Sequence, residues 1–209
     1  ISGIFAATGQ TCIAGSRLLL QRSIYEKFLS KLIEVAKGAK IGDPMSLDTH
    51  VGPVTTPAQY QKIIEYIKIA KEEGATCVLG GKEYFGTNSK NSRFIEPTIF
   101  TNVTNNMRIA QEEVFGPVLS VIMFEDEDEA ISIANDIVFG LAAGVWTKNI
   151  RRALKMSEAI IVMTAKHFGC LGVIDEDGYL KGVITDGDLR RNMQNGLLNL
   201  RTAEIMTFP

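Results

Sequence analysis

Cys12 stands in the stretch Phe5-Ala6-Ala7-Thr8-Gly9-Gln10-Thr11-Cys12-Ile13-Ala14-Gly15-Ser16-Arg17. A thiolate there could add to a carbonyl carbon, because sulfur both attacks well and leaves well. Glycines at 9 and 15 allow backbone to come close to a ligand. A free cysteine is also an ordinary small core residue, and both readings stay open on residue types alone. A second group lies in Gln111-Glu112-Glu113-Val114-Phe115-Gly116-Pro117-Val118. By type alone, Glu113 is a surface acid at a helix end and Phe115 a core aromatic. A third group, Thr185 and Asp188, sits in Gly182-Val183-Ile184-Thr185-Asp186-Gly187-Asp188-Leu189-Arg190-Arg191. A hydroxyl and a carboxylate at a strand-to-helix turn suit phosphate and ribose, and equally suit helix capping.

Composition narrows the classes. The 209 residues carry a formal charge of -2 and 22% charged side chains, a soluble globular balance with room for one good core or two small ones. Without clustered cations, nucleic acid is not an expected partner. The three cysteines at 12, 77 and 170 form no C-x-x-C pair and there are only two histidines, so no metal site is expected. An odd cysteine count without a signal-peptide pattern points to a reducing, cytoplasmic setting. No apolar run approaches membrane-spanning length. Ile1 is not a natural start, so the chain is expected to be cut at its N-terminus.

The elements that would position these groups alternate. Leu18-Leu19-Leu20 reads as a short buried piece. Ser23 to Lys37 has helical spacing, with Ser23 and Glu26 in the capping-box arrangement and Gly38 as a stop. His50 falls in a loop and is expected to be solvated. A second helix opens at Thr56-Pro57 and reaches Gly74. Strands are expected at Thr76–Leu79, around Pro97 from Phe94 to Val103, at Val118–Phe124 and at Leu141–Trp146. Cys77 reads as a packed core thiol. A short helix is expected over Ala110–Val114, another behind the acids Glu125–Glu129, and a third from Ile150. Lys82 to Arg93 reads as a loop or hairpin. The order is that of an α/β domain. Farther on come a helically spaced segment Arg151–Lys166, a strand at Cys170–Ile174, a turn at Asp175–Gly178, a strand at Leu180–Thr185, and a helix capped by Asp186–Asp188.

The cysteine stretch resembles the catalytic motif of the aldehyde dehydrogenase superfamily. Gln111–Val118, Gly140-Leu141-Ala142-Ala143-Gly144-Val145-Trp146-Thr147 and, more weakly, Glu96-Pro97-Thr98-Ile99-Phe100 match in the same order. The resemblance covers about residues 1–156. It implies a catalytic domain with helices covering a largely parallel sheet, and Cys12 as nucleophile toward a small-molecule aldehyde. It implies NAD or NADP as cofactor, Glu113 on the nicotinamide ribose hydroxyls, and Phe115 beside the nicotinamide. The chemistry implied is thiohemiacetal, then thioester, then acid, with the Cys12 N–H as one oxyanion donor. Family members are homo-oligomers. Their cofactor domain, general-base glutamate and oxyanion asparagine lie upstream of the cysteine, so this chain alone is expected to turn over little.

Residues 157–209 resemble a partial cystathionine-β-synthase (CBS) domain, similar to those of arabinose-5-phosphate isomerases. The carrying residues are Phe168-Gly169-Cys170-Leu171-Gly172-Val173 and the Gly182–Arg191 run. The implied ligand is an adenosyl nucleotide, with Thr185 near phosphate and Asp188 on ribose. Ala203–Thr207 resembles the entry to a second repeat. The alternative function is thus a nucleotide-sensing regulatory module. The boundary near 156–158 falls inside a predicted helix, which points to a truncated, fused or artificially joined chain.

Overall fold

The run Val118–Phe124 has no polar face, and it forms the middle of the sheet. The computed structural model describes residues 3–86, 93–140, 142–149, 152–153, 170–174 and 180–185. Contacts divide the chain into two units, residues 1–126 and 127–209.

In the first unit four strands lie in the order β1-β4-β3-β2. They are β1 (Arg17–Gln21), β2 (Thr76–Leu79), β3 (Thr98–Thr101) and β4 (Val118–Phe124). β4 runs parallel to both neighbours, with Arg17 opposite Ser120 and Thr98 opposite Val118. β2 closes the edge antiparallel to β3. Two of the three pairings are therefore parallel, which requires crossovers and both faces covered. The burial pattern agrees: Val118 through Ile122 and all of β3 are buried.

Helix α1 (Tyr25–Lys37) places Leu29 and Ala36 in the core, with Leu32 and Ile33 packed against it. Ser23 does not cap it. A 3-10 turn over Arg22–Ile24 precedes the helix, and the N-cap residue is Ile24 without a side-chain cap. The capping-box expectation fails because that turn extends the helical path past Ser23. Helix α2 (Pro57–Glu72) starts as expected, with proline in its first turn and the Thr56 hydroxyl accepting from the Gln59 N–H at 3.2 Å. Its buried residues Tyr60, Ile63, Tyr66, Ile67 and Ala70 follow helical spacing.

Other boundaries shift. Strand β3 is shorter than Phe94–Val103, since Pro97 has no N–H for a ladder. The short helix α3 spans Arg108–Gln111 rather than 110–114, and Glu112 is already extended. Residues 82–84 pair with 94–96: the Tyr84 N–H donates to Phe94 O, the Glu96 N–H donates to Lys82 O, and the Tyr84 and Phe94 rings meet edge to face at 6.4 Å, while residues 87–92 of the expected loop or hairpin lie outside the described residues. His50 is exposed and its Nδ1 accepts from the Lys40 N–H at 2.9 Å.

In the second unit α4 (Glu127–Asn135) carries Glu127, Asp128 and Glu129 in its first turn, where the helix dipole favours anions. No strand forms across the described residues 142–149. The expected strand at Leu141–Trp146 fails there: Ala142, Ala143 and Gly144 have little side chain to bury, and Trp146 is 74% exposed. The Asn149 carboxamide oxygen accepts from the Arg152 N–H at 3.3 Å, and residues 152–153 are helical. Strands β5 (Cys170–Ile174) and β6 (Leu180–Thr185) pair antiparallel, with Cys170 opposite Thr185. The Asp175–Gly178 turn, the segment 154–169, Asp188 and its capped helix lie outside the described residues. Among the described residues no helix is long and apolar enough to cross a membrane.

Candidate functional site

Phe5, 1% exposed, anchors the cysteine stretch in the core. The chain then makes a 3-10 turn over Ala6–Gly9 in which three consecutive residues are left-handed: Ala7 (φ 49°), Thr8 (φ 58°) and Gly9 (φ 67°). Non-glycine residues in that region cost of order 1–3 kcal/mol each, so the surroundings must hold them. Part of the hold is visible: Thr8 is buried and its hydroxyl donates to Gly52 O at 3.1 Å. The turn Thr11–Ile13 follows, closed by the Ala14 N–H donating to Thr11 O at 2.9 Å. Cys12 at its crest is exposed. Its N–H has no hydrogen-bond acceptor among the described residues. The Ser16 carbonyl accepts from Ser120 N–H, and β1 begins at the next residue, so the turn is fastened directly to β4.

The second sequence group meets the first. A β-carbon placed on Gly9 would lie 2.0 Å from the Gly116 carbonyl oxygen and 2.8 Å from the Pro117 nitrogen. Only a glycine can pack there, in that conformation and against that backbone. Phe115 is also left-handed, at φ 57°, and is half-buried. The Gln59 carboxamide, one turn into α2, donates to Val114 O at 2.8 Å and Phe115 O at 3.0 Å. The cysteine turn and the Glu113–Pro117 segment thus share one seam.

The adjacent glutamates differ sharply. Glu112 is occupied: Arg108 donates to it at 2.7 and 3.0 Å, and the Tyr66 hydroxyl donates to it as well. Those hydrogen bonds, Arg108 first, pull its carboxyl down to about 2. Burial, followed by Glu112, raises the Tyr66 hydroxyl. Glu113 is exposed, and no hydrogen bond or ion pair engages it among the described residues. A structural acid and an available acid therefore stand side by side.

Cys77, the half-buried thiol of β2, contrasts with Cys12. Burial pushes it up, and its Sγ lies 3.3 Å from Leu79 O. Thr185 ends β6, while Asp188 lies outside the described residues. Among the described residues no group of three or more metal-ligating side chains comes together. Sequence reasoning did not find Gln59 or Thr55. The proline at the start of α2 locates the first turn, but nothing in the spacing says which carbonyls that turn reaches.

The family model described as "Aldehyde dehydrogenase family" matches residues 1–173, past the boundary near residue 156 that the sequence led us to expect. An aldehyde dehydrogenase of Aspergillus niger is 47% identical over 158 residues, 76% of this chain and 31% of that protein. A betaine aldehyde dehydrogenase of Mesorhizobium japonicum is 46% identical over 151 residues, 72% of this chain and 31% of its own. A solved structure of betaine aldehyde dehydrogenase from Staphylococcus aureus in complex with NAD+ superposes with a TM-score of 0.74 at 45% identity, covering 76% of this chain and 31% of that one. The chain therefore spans about a third of the length of these relatives.

Proposed function

The chain belongs to the aldehyde dehydrogenase family, and from that premise we propose that Cys12 is the nucleophile in NAD(P)-dependent oxidation of an aldehyde to a carboxylic acid. The observation that carries this reading is the exposed Cys12 turn packed, through Gly9, against the segment of Glu113 and Phe115. The Cys12 thiolate adds to the aldehyde carbon, forming a C–S bond and a tetrahedral oxyanion. The Cys12 N–H, without an acceptor among the described residues, would donate to that oxygen. Loss of hydride from the same carbon re-forms the carbonyl as a thioester on Cys12. Attack by water then breaks the C–S bond, releasing the acid and the thiol.

The residues present fit a nicotinamide dinucleotide. The carboxylate of Glu113 is available to accept from paired ribose hydroxyls, whereas Glu112 is committed to Arg108 and Tyr66. The half-buried Phe115 offers an aromatic surface on the same segment. When bound, the cofactor supplies the hydride acceptor. The relatives' names support an aldehyde as the substrate class, betaine aldehyde among them. The test is the relative alkylation of the thiols near neutral pH: Cys12 is expected to react far faster than Cys77 or Cys170, and equal rates contradict the reading.

A second reading concerns residues 157–209. What favours it is that β5 and β6 pair antiparallel, as the two strands of a CBS-like unit would; such a unit would bind an adenosyl nucleotide through Thr185 and Asp188. Thermal denaturation with AMP or ATP above its dissociation constant should then shift upward. The absence of any shift leaves these residues as helix caps.

A further inference from the structure

We propose that Thr55 is a positioning residue for the nucleophile turn, acting through the side chain of Gln10, and that residues 52–59 form a splint holding that turn in register with the Glu113–Phe115 segment. The inference rests on the reading of Cys12 as the nucleophile.

The Gln10 carboxamide oxygen, two residues before Cys12, accepts twice from one residue: from the Thr55 N–H at 3.1 Å and the Thr55 hydroxyl at 2.9 Å. Two residues earlier in the chain, Thr8 donates to Gly52 O. The left-handed run Ala7–Gly9 is therefore tied to one short loop twice, from its middle residue Thr8 and from Gln10 directly after it. That loop has its own backing. Arg93 Nε donates to Val54 O at 3.0 Å, its Nη2 donates to Thr55 O at 3.3 Å, and the Val54 N–H returns to Arg93 O at 2.7 Å. Val54 is fully buried. Directly after the loop, Thr56 caps α2, whose Gln59 grips the carbonyls of Val114 and Phe115. One continuous stretch of eight residues thus touches both halves of the site. A strained turn released from that loop would relax and carry the thiol with it.

The test compares wild type with Thr55→Val, Thr55→Ser, Gln10→Leu, Gln10→Glu and the double variant Thr55→Val/Gln10→Leu, all in the full chain. The readouts are amide hydrogen exchange over residues 8–12, the alkylation rate of Cys12, and the melting temperature. Thr55→Val loses the hydroxyl bond but keeps the backbone one and should speed exchange over 8–12 by about fivefold, the size of one net hydrogen bond; Gln10→Leu loses both and should speed it more, and the Cys12 rate should change in the same order. Thr55→Ser keeps the hydroxyl and should behave like wild type in every readout; Gln10→Glu keeps the accepting oxygens and should match wild type in hydrogen exchange, while its added charge slows Cys12 alkylation. The double variant should be no worse than Gln10→Leu alone, because the two groups act as one pair. Multiplying effects, or a change in melting temperature with no change at residues 8–12, would overturn the proposal and leave Thr55 closing a surface loop. Should Thr55→Val fail to fold, the contrast between Gln10→Leu and Gln10→Glu decides, and equal exchange in those two overturns it. A wild-type Cys12 that alkylates no faster than Cys77 sinks the nucleophile reading instead, and the exchange data still settle Thr55.

Discussion

Gly9→Ala is expected to cost about 3 kcal/mol or more of stability and to remove any selective reactivity of Cys12, from two costs that add. An alanine at φ 67° sits in the left-handed region, worth roughly 1–2 kcal/mol for a residue with a β-carbon. The new methyl would also stand 2.0 Å from the Gly116 carbonyl oxygen. That contact is backbone on both sides, so no side chain can swing away, and overpacking of this kind costs about 1–3 kcal/mol. Relief requires the cysteine turn and the Phe115–Pro117 segment to part, which breaks the seam of the proposed site. Denaturant unfolding monitored by circular dichroism checks the stability loss. A variant as stable as wild type would show that the seam is not packed as described.

Phe5→Ala is the second large effect, expected at about 3–5 kcal/mol, the usual range for a buried aromatic truncated to a methyl. Phe5 is 1% exposed and belongs to the same core cluster as Leu20, Ile99 and Val121, which are residues of β1, β3 and β4. Its removal hollows the core beneath the turn and frees the N-terminal end of the left-handed run. Phe85→Ala is the control, since that ring is 67% exposed and its loss should change little. Comparable midpoints for the two variants would contradict the anchoring role.

Much of this arrangement was readable from residue patterns, for reasons that differ by element. Val118–Phe124 stood out because a strand between two parallel neighbours must be apolar on both faces. The start of α2 stood out because Thr56-Pro57 combines a side-chain acceptor with a residue that needs no N–H partner. The same logic misplaced the start of α1, where the 3-10 turn over Arg22–Ile24 took the place of a side-chain cap. Leu141–Trp146 has the look of a strand, but pairing depends on a neighbour that residue types do not reveal, and 142–149 stays irregular.

The site was legible in outline only. The motifs named Cys12, Glu113 and Phe115, and the Gly9–Gly116 contact shows two of those stretches touching across 107 positions of sequence. What spacing could not show is why Glu113 rather than Glu112 is available. The answer depends on Arg108, one turn earlier, and on Tyr66 of another helix. The roles of Gln10, Thr55 and Gln59 were likewise hidden, because hydrogen bonds between segments 45 to 56 residues apart leave no local periodicity.

The account stands on Cys12 as an acyl acceptor, and the most direct measurement is covalent. The chain is treated with an activated ester at neutral pH, digested, and each cysteine peptide is weighed by mass spectrometry. An acyl group that accumulates on Cys12, is absent from Cys77 and Cys170, and disappears in Cys12→Ser is the predicted result. Acylation spread evenly over the three thiols, or found on none of them while lysines react, would contradict it.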